Sequence, residues 1–205
     1  MYQSYIKRIC DVVLAIMLLP FLAILMIPIG IIIKLDDRGP VFFKGPRLGK
    51  DMKEFRMFKF RTMKVNAPDI RNEDGTTFNS SQDERLTRVG KFLRKTSLDE
   101  LPQILNVLRG EMSFIGPRPS PLGNKDMYPK EFFEKYKVLP GITGYNQAIL
   151  RNQSTMEERI ANDAYYVNNI SARLDIKIIY LTVISILKSK NIYRNDYIEQ
   201  KRRSM

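Results

Sequence analysis

From Val12 to Ile33 the chain reads VVLAIMLLPFLAILMIPIGIII, 22 residues without a charge. A helix rises about 1.5 Å per residue, so a run of this length reaches across the hydrocarbon core of a bilayer. The alternative is a buried core helix. A secretory signal fits poorly, because the run exceeds the usual apolar core of such signals and no small-residue cleavage site precedes the charges that follow. Lys7 and Arg8 flank one end while Lys34 and Arg38 flank the other beside Asp36 and Asp37, so positive charge sets no orientation. Pro20 and Pro28 each remove a backbone donor inside the segment. Two shapes are compatible with that: a helix–break–helix hairpin returning to the face it entered from, or a kinked single span.

A membrane segment of this size leaves room in 205 residues for one further domain. The expected division is a membrane-inserted part at 1–38 and a second domain at 39–205. The 34 basic and 22 acidic side chains give a net charge of +12, a field that draws anions: nucleic acid, anionic lipid or nucleotide phosphates. The absence of histidine excludes imidazole general bases, Ser-His-Asp and Cys-His pairs, and His-ligated zinc. The single Cys10 excludes an internal disulfide. Carboxylate, lysine and tyrosine chemistry remains.

The expected fold class is α+β, mostly helical, with a small β-hairpin or sheet and interfacial amphipathic helices. Turn residues Gly39-Pro40, Gly45-Pro46 and Gly49 punctuate short apolar runs between Asp36 and Met63, the pattern of a hairpin. Residues 66–84 are polar and aperiodic, a loop. Over residues 85–95, Arg85, Arg88, Lys91 and either Arg94 or Lys95 recur at helical spacing opposite Leu86, Val89 and Leu93. That basic face is either solvated or rests on anionic groups. A second helix is expected from Asp99 to a stop at Gly110, and a third from Ser154, which has capping-box spacing to Glu157. The stretch Leu174–Lys190 is apolar in its middle but short for a span, which suits a helix in the interface or the core. The tail QKRRSM is basic.

Chemistry concentrates in RKTSLDELPQILNVLRGEMSFIGPRP, residues 94–119. Asp99 and Glu100 lie in the first turn of a helix, where the dipole favours ionised carboxylates. Such a pair can cap the helix, bind magnesium or attack an electrophile. Arg94 precedes it by five residues, and Arg118 stands between Pro117 and Pro119, held in a form suited to a phosphate. Lys59 and Arg61 in KFRTM share a face if the strand is regular. Carboxylates, arginines and a lysine without histidine suit a Mg2+-dependent reaction at a diphosphate. Charge alone would also suit a basic membrane- or nucleic-acid-binding module, but it accounts for neither the carboxylate pair nor the proline-framed arginine.

KFRTM (59–63), SLDELPQILNVLRGEMSFIGPRP (97–119) and PGITG (140–144), in this order behind an apolar segment, closely resemble the bacterial sugar transferases called monotopic phosphoglycosyl transferases, in their minimal catalytic form. The resemblance implies that Asp99 attacks the sugar-bearing phosphorus of a UDP-sugar, releasing UMP. Polyprenyl phosphate, such as undecaprenyl phosphate, then takes the phosphosugar. It implies Asp99 and Glu100 as catalytic and metal-binding residues, Arg118 on phosphate, Lys59, Arg94 and Arg151 as further anion contacts, and Asp163 as a further site position; Arg61, expected on the Lys59 face by its spacing, is counted with the phosphate contacts. It also implies a re-entrant hairpin with the catalytic domain on the cytoplasmic face of the bacterial inner membrane, membrane lipid as a partner, no nucleic acid, and polysaccharide synthesis as the setting. Self-association as a homo-oligomer stays open. The Ser-Pro pair that forms the hairpin apex in such proteins is absent: Ala23-Ile24 stands there, with Pro20 and Pro28 about one turn to either side.

Overall fold

The computed structural model describes residues 2–70, 72, 78–80, 82–122, 128–151 and 153–187. The tail QKRRSM and parts of the polar loop at 66–84 lie outside them. The first major element is α1, Lys7–Asp37, a 31-residue helix long and apolar enough to cross a membrane. Helical conformation continues through Pro20 and Pro28 without an interruption. A proline inside a helix forfeits one hydrogen bond and favours a bend, which does not require the helix to end.

One stripe of α1, Asp11, Ala15, Leu22, Ile29 and Ile33, is buried against the body of the protein. Most of its remaining apolar side chains, including Phe21, Ile24 and Ile27, are exposed. The helix is tied to the body at both ends. Near its start Arg8 donates to the carbonyls of Val107 and Leu108 at 2.7 and 3.2 Å, and Asp11 accepts from the Phe114 amide at 3.1 Å. Near its end Asp36 accepts from the Val89 amide at 3.0 Å, and Asp37 forms an ion pair with Arg61.

The expected hairpin is present. Strands β1, Phe42–Leu48, and β2, Glu54–Phe60, pair antiparallel with Phe43 opposite Lys59. Asp51 and Met52 adopt left-handed backbone in the connection. Strand β4, Ser120–Pro121, extends the sheet in the order β2-β1-β4. Strands β3, Ser113–Ile115, and β5, Gly141–Thr143, form a separate parallel pair.

Helix α2 spans Arg88–Thr96, capped by Thr87, whose hydroxyl accepts from the Gly90 amide at 2.9 Å. Arg88, Lys91 and Lys95 are exposed on it. Arg85 lies ahead of the helix and is buried in an ion pair with Asp83 at 2.7 Å, so it does not belong to the basic face expected for it. The single helix expected after Asp99 is two elements, a 3-10 helix Leu98–Gln103 and α3, Ile104–Leu108, closed by Gly110 at φ +78°. Helix α4 covers Tyr145–Leu150 and α5 covers Met156–Asn168. The capping box of α5 is Thr155 with Glu158, one residue beyond the expected Ser154 and Glu157. Ser154 is instead buried and accepts from Asn146 at 3.1 Å. In α6, Ala172–Leu187, Leu174, Asp175 and Ile178 face inward while Ile176, Tyr180, Val183 and Leu187 are exposed.

Among the described residues four clusters make the core. One sets Ala15 and Leu22 of α1 against Phe55, Met57, Ile104, Val107 and Met112, joining the membrane-type helix, the hairpin and α3.

Candidate active site

The site begins at a change of direction. Ser97 adopts left-handed backbone, φ 59°, ending α2 and starting the 3-10 helix that carries Asp99 and Glu100. Its amide closes α2 by donating to the Arg94 carbonyl at 3.2 Å. The short 3-10 helix lies against β2, which supplies Lys59 close to its end.

Lys59 Nζ donates to Glu100 Oε1 at 2.5 Å, and Arg118 Nη2 donates to the same oxygen at 3.0 Å. Burial by itself would push the Glu100 carboxyl up; Lys59 and Arg118 overcome it and hold the group at about 2. Burial pushes Lys59 down, opposed by its pairing with Glu100. Asp99 differs from its neighbour. It is 7 % exposed, and among the described residues no side chain donates a hydrogen bond to it. Burial pushes its carboxyl up; Lys59 opposes, the Glu100 charge adds to the rise, and Arg94 and Arg118 oppose more weakly. Placement at a helix start therefore accounts for neither carboxylate. The environment splits two adjacent acids into a firmly ionised one and a more basic one.

The other expected residues divide. Arg94 Nε donates to Thr62 Oγ1 at 3.0 Å, and its charge reaches Asp99. Arg151 closes α4 with φ 50° and ψ −117°, an unfavourable backbone for a residue with a side chain. It donates to Ser97 Oγ at 3.1 Å and lies within the field of Glu100, which places it beside the carboxylate pair. Arg118 is 43 % exposed, leaving part of its guanidinium open to an anion.

Arg61 is placed elsewhere. It follows the end of β2, pairs with Asp37 of α1, and donates to the carbonyls of Pro40 and Met63. Its guanidinium is committed to holding α1, which corrects its expected place on the Lys59 face. Asp163 pairs with Lys135 Nζ at 3.5 Å rather than meeting Asp99 or Glu100. Burial pushes Asp163 up and Lys135 down, and the Arg118 charge also depresses Lys135. Lys135 had no sequence signal, because EKYK reads as a solvated run.

The GPRP and PGITG segments, distant in sequence, form one support. The Gly116 amide donates to the Thr143 carbonyl at 2.9 Å, and the Gly141 amide to the Pro117 carbonyl at 3.0 Å. A Cβ on Gly116 would stand 2.4 Å from the Leu139 carbonyl oxygen, and one on Gly141 2.1 Å from the Gly116 nitrogen. The GPRP and PGITG segments thus press backbone to backbone, which only glycine permits, and fix the base of Arg118.

Among the described residues no group of three or more His, Cys, Asp or Glu side chains could hold a metal alone. Magnesium commonly takes one or two carboxylates and completes its shell with phosphate oxygens and water. Asp99 and Glu100 fit that donor set in combination with a diphosphate.

The family model described as bacterial sugar transferase matches residues 2–189. The chain is 42% identical over 202 residues to a UDP-glucose:undecaprenyl-phosphate glucose-1-phosphate transferase of Xanthomonas campestris pv. campestris, covering 94% of this chain and 41% of that one. It is 38% identical over 190 residues to a UDP-N-acetylgalactosamine-undecaprenyl-phosphate N-acetylgalactosaminephosphotransferase of Aeromonas hydrophila, covering 90% and 44%. It is 39% identical over 198 residues to the uncharacterized sugar transferase EpsL of Bacillus subtilis (strain 168), covering 96% and 95%. The chain therefore spans less than half the length of the first two relatives and nearly all of the third.

Proposed function

This chain belongs to the bacterial sugar transferase family, and from that membership we propose that it moves a sugar 1-phosphate from a UDP-sugar to a polyprenyl phosphate, releasing UMP. The names of the Xanthomonas and Aeromonas relatives share UDP and undecaprenyl phosphate and differ in the sugar. The observation that carries the reading is the divided carboxylate pair: Asp99, buried and raised, beside Glu100, ionised and doubly paired.

In the proposed reaction an Asp99 carboxylate oxygen attacks the sugar-bearing phosphorus. The bond from that phosphorus to the oxygen bridging to UMP breaks, and UMP departs with the electron pair. A phosphosugar remains on Asp99 as an acyl phosphate. An oxygen of polyprenyl phosphate then attacks the same phosphorus, expelling the Asp99 carboxylate and forming a polyprenyl-diphosphate-sugar. The raised proton affinity of Asp99 makes its ionised form the stronger nucleophile of the two. The open part of Arg118, with Arg94 and Arg151, offsets charge on the diphosphate. Asp99 and Glu100 would hold a magnesium ion there, which when bound would add charge neutralisation at the diphosphate.

The membrane reading is a re-entrant α1 with the body on the cytoplasmic face of the inner membrane, as an early step of polysaccharide synthesis. Support comes from the tethering of both ends of α1 to one body, whereas a straight span places its ends on opposite sides of the bilayer. Pro20 and Pro28 both lie on the exposed side of α1, where the ring favours a bend toward the body. The exposed apolar side of α6 and the basic residues of α2 suit the interface.

Purified enzyme incubated with a sugar-labelled UDP donor and no acceptor is expected to retain label at Asp99 and to lose it in Asp99→Asn. An active enzyme that never carries label would assign the transfer to a ternary complex, with Asp99 as a metal ligand only. A panel of UDP-sugars scored for UMP release identifies the sugar.

A further inference from the structure

Strand β2 is an edge strand, since the sheet order is β2-β1-β4. Its outer edge is nonetheless closed over the residues beside Lys59. Asn106 of α3 is fully buried; its Oδ1 accepts from the Phe58 amide at 2.9 Å and its Nδ2 donates to the Arg56 carbonyl at 2.8 Å. One side-chain amide thus bonds the edge as a neighbouring strand's peptide would, occupying a carbonyl and the amide two residues on. The second hydrogen of Nδ2 goes to Glu111 Oε2 at 2.7 Å, which orients the amide and leaves both of its hydrogens bonded. The Asn106 carbonyl accepts from the amides of Glu111 and Met112, fixing the turn that presents Glu111.

This arrangement has a specific consequence for the site. Phe58 adjoins Lys59, and Asn106 lies six residues beyond Glu100 through the 3-10 helix and α3. Among the described residues, and apart from the Lys59 to Glu100 contact, the Asn106 amide is the hydrogen-bonded tie between β2 and the 3-10 helix–α3 segment. A small change of register there moves Lys59 against Glu100, and side-chain hydrogen bonds tolerate little displacement.

We propose that Asn106 is a positioning residue that acts through Lys59: its amide, oriented by Glu111, sets the reach of the Lys59 ammonium to the carboxylate pair. The consequence for catalysis rests on the transferase reading above; the consequence for Lys59 does not.

The test uses the full chain in lipid nanodiscs. Competitive labelling with isotope-coded acetic anhydride, read at Lys59 by mass spectrometry, reports whether the ammonium is held. Asn106→Ala and Glu111→Leu are expected to speed Lys59 acylation about tenfold and about threefold, while Glu111→Gln, which keeps an acceptor for Nδ2, stays near the parent. Val107→Ala, a core truncation at the next residue, controls for general loosening and is expected to leave Lys59 protected. Unchanged Lys59 labelling in both Asn106→Ala and Glu111→Leu, or an equal rise in Val107→Ala, overturns the proposal. If Asn106→Ala fails to fold, the two Glu111 variants carry the comparison.

Activity adds a second readout. UMP release is expected to fall about tenfold in Asn106→Ala, but less than about twofold when Lys59→Met is already present, because both losses then act through one group. Full additivity overturns the proposal. Absence of UMP release from the unsubstituted enzyme with every UDP-sugar would overturn the transferase reading instead, and the acylation result would still decide the role of Asn106.

Discussion

Lys59 Nζ meets Glu100 Oε1 at 2.5 Å, a contact that joins the edge strand of the sheet to the 3-10 helix carrying both carboxylates. Lys59 is also the foremost charge holding the neighbouring Asp99 down against its burial. One ammonium therefore acts on both acids. With Glu100 held at about 2, the acid limb of the pH profile should belong to Asp99. The rate of UMP release is expected to fall with pH around a midpoint above 3.8, the ordinary value for an aspartate. Lys59→Met should move that limb further up, as read from single-turnover rates across pH.

Asp99→Asn should abolish transfer, with a loss of about a thousandfold or more. It should also stabilise the fold at neutral pH. A carboxyl raised on folding costs stability once ionised; the cost is absent where the group is protonated in both states and complete above its folded value. A rise in Tm of about 2–4 °C, the shift expected from ~1 kcal/mol in a protein of this size, is expected at pH 7.5 and should vanish at pH values below 3.8. A lower Tm at pH 7.5 would contradict it.

Glu100→Gln works in the opposite direction. Lys59 and Arg118 would keep their partly buried charges without a counterion, at a cost of about 3 kcal/mol in urea unfolding. In the parent, the contribution of the depressed Glu100 is present above 4.5 and lost as pH falls toward about 2.

Arg61 and Arg118 should separate structural from substrate roles. Arg61→Ala removes the anchor of Asp37 and should cost about 3 kcal/mol of stability, with the KM for the donor little changed. Arg118→Ala should lower kcat/KM by about a hundredfold with a smaller stability loss. Equal kinetic losses in the two variants would place Arg61 on the substrate after all.

Gly116→Ala drives a Cβ into the Leu139 carbonyl oxygen at 2.4 Å and so parts the GPRP and PGITG segments. Activity should fall more steeply than stability, because the displaced backbone is the base of Arg118. Comparing kcat/KM with the urea midpoint checks this.

For topology, Gln3→Cys and Lys50→Cys, made singly in a Cys10→Ser background, should react alike with an impermeant thiol reagent in spheroplasts: both protected when the cells are intact, both labelled after permeabilisation. Labelling of one site alone in intact cells would establish a span.

Local pattern was sufficient for the long apolar helix, the β1–β2 hairpin, α2 and the Gly110 stop, since each depends on periodicity or turn chemistry within a few residues. It misplaced what depends on where an element ends or on what packs against it. Arg61 was assigned to the Lys59 face by a two-residue period, but β2 stops at Phe60 and Asp37 of α1 captures the guanidinium. Ser154 has a capping-box spacing, yet burial against Asn146 leaves the cap to Thr155. Lys135 and Asn106 look ordinary in sequence and acquire their roles from partners far along the chain.

The sequence by itself determined that this protein carries a membrane-type helix, works without histidine, and places two adjacent acids among arginines. Only the tertiary structure decided how those acids differ. Lys59 and Arg118 lie 41 and 18 residues from Glu100, and it is their convergence on one oxygen that keeps Glu100 ionised while burial raises Asp99. Burial and charge proximity are properties of the packed chain, and no local spacing encodes them.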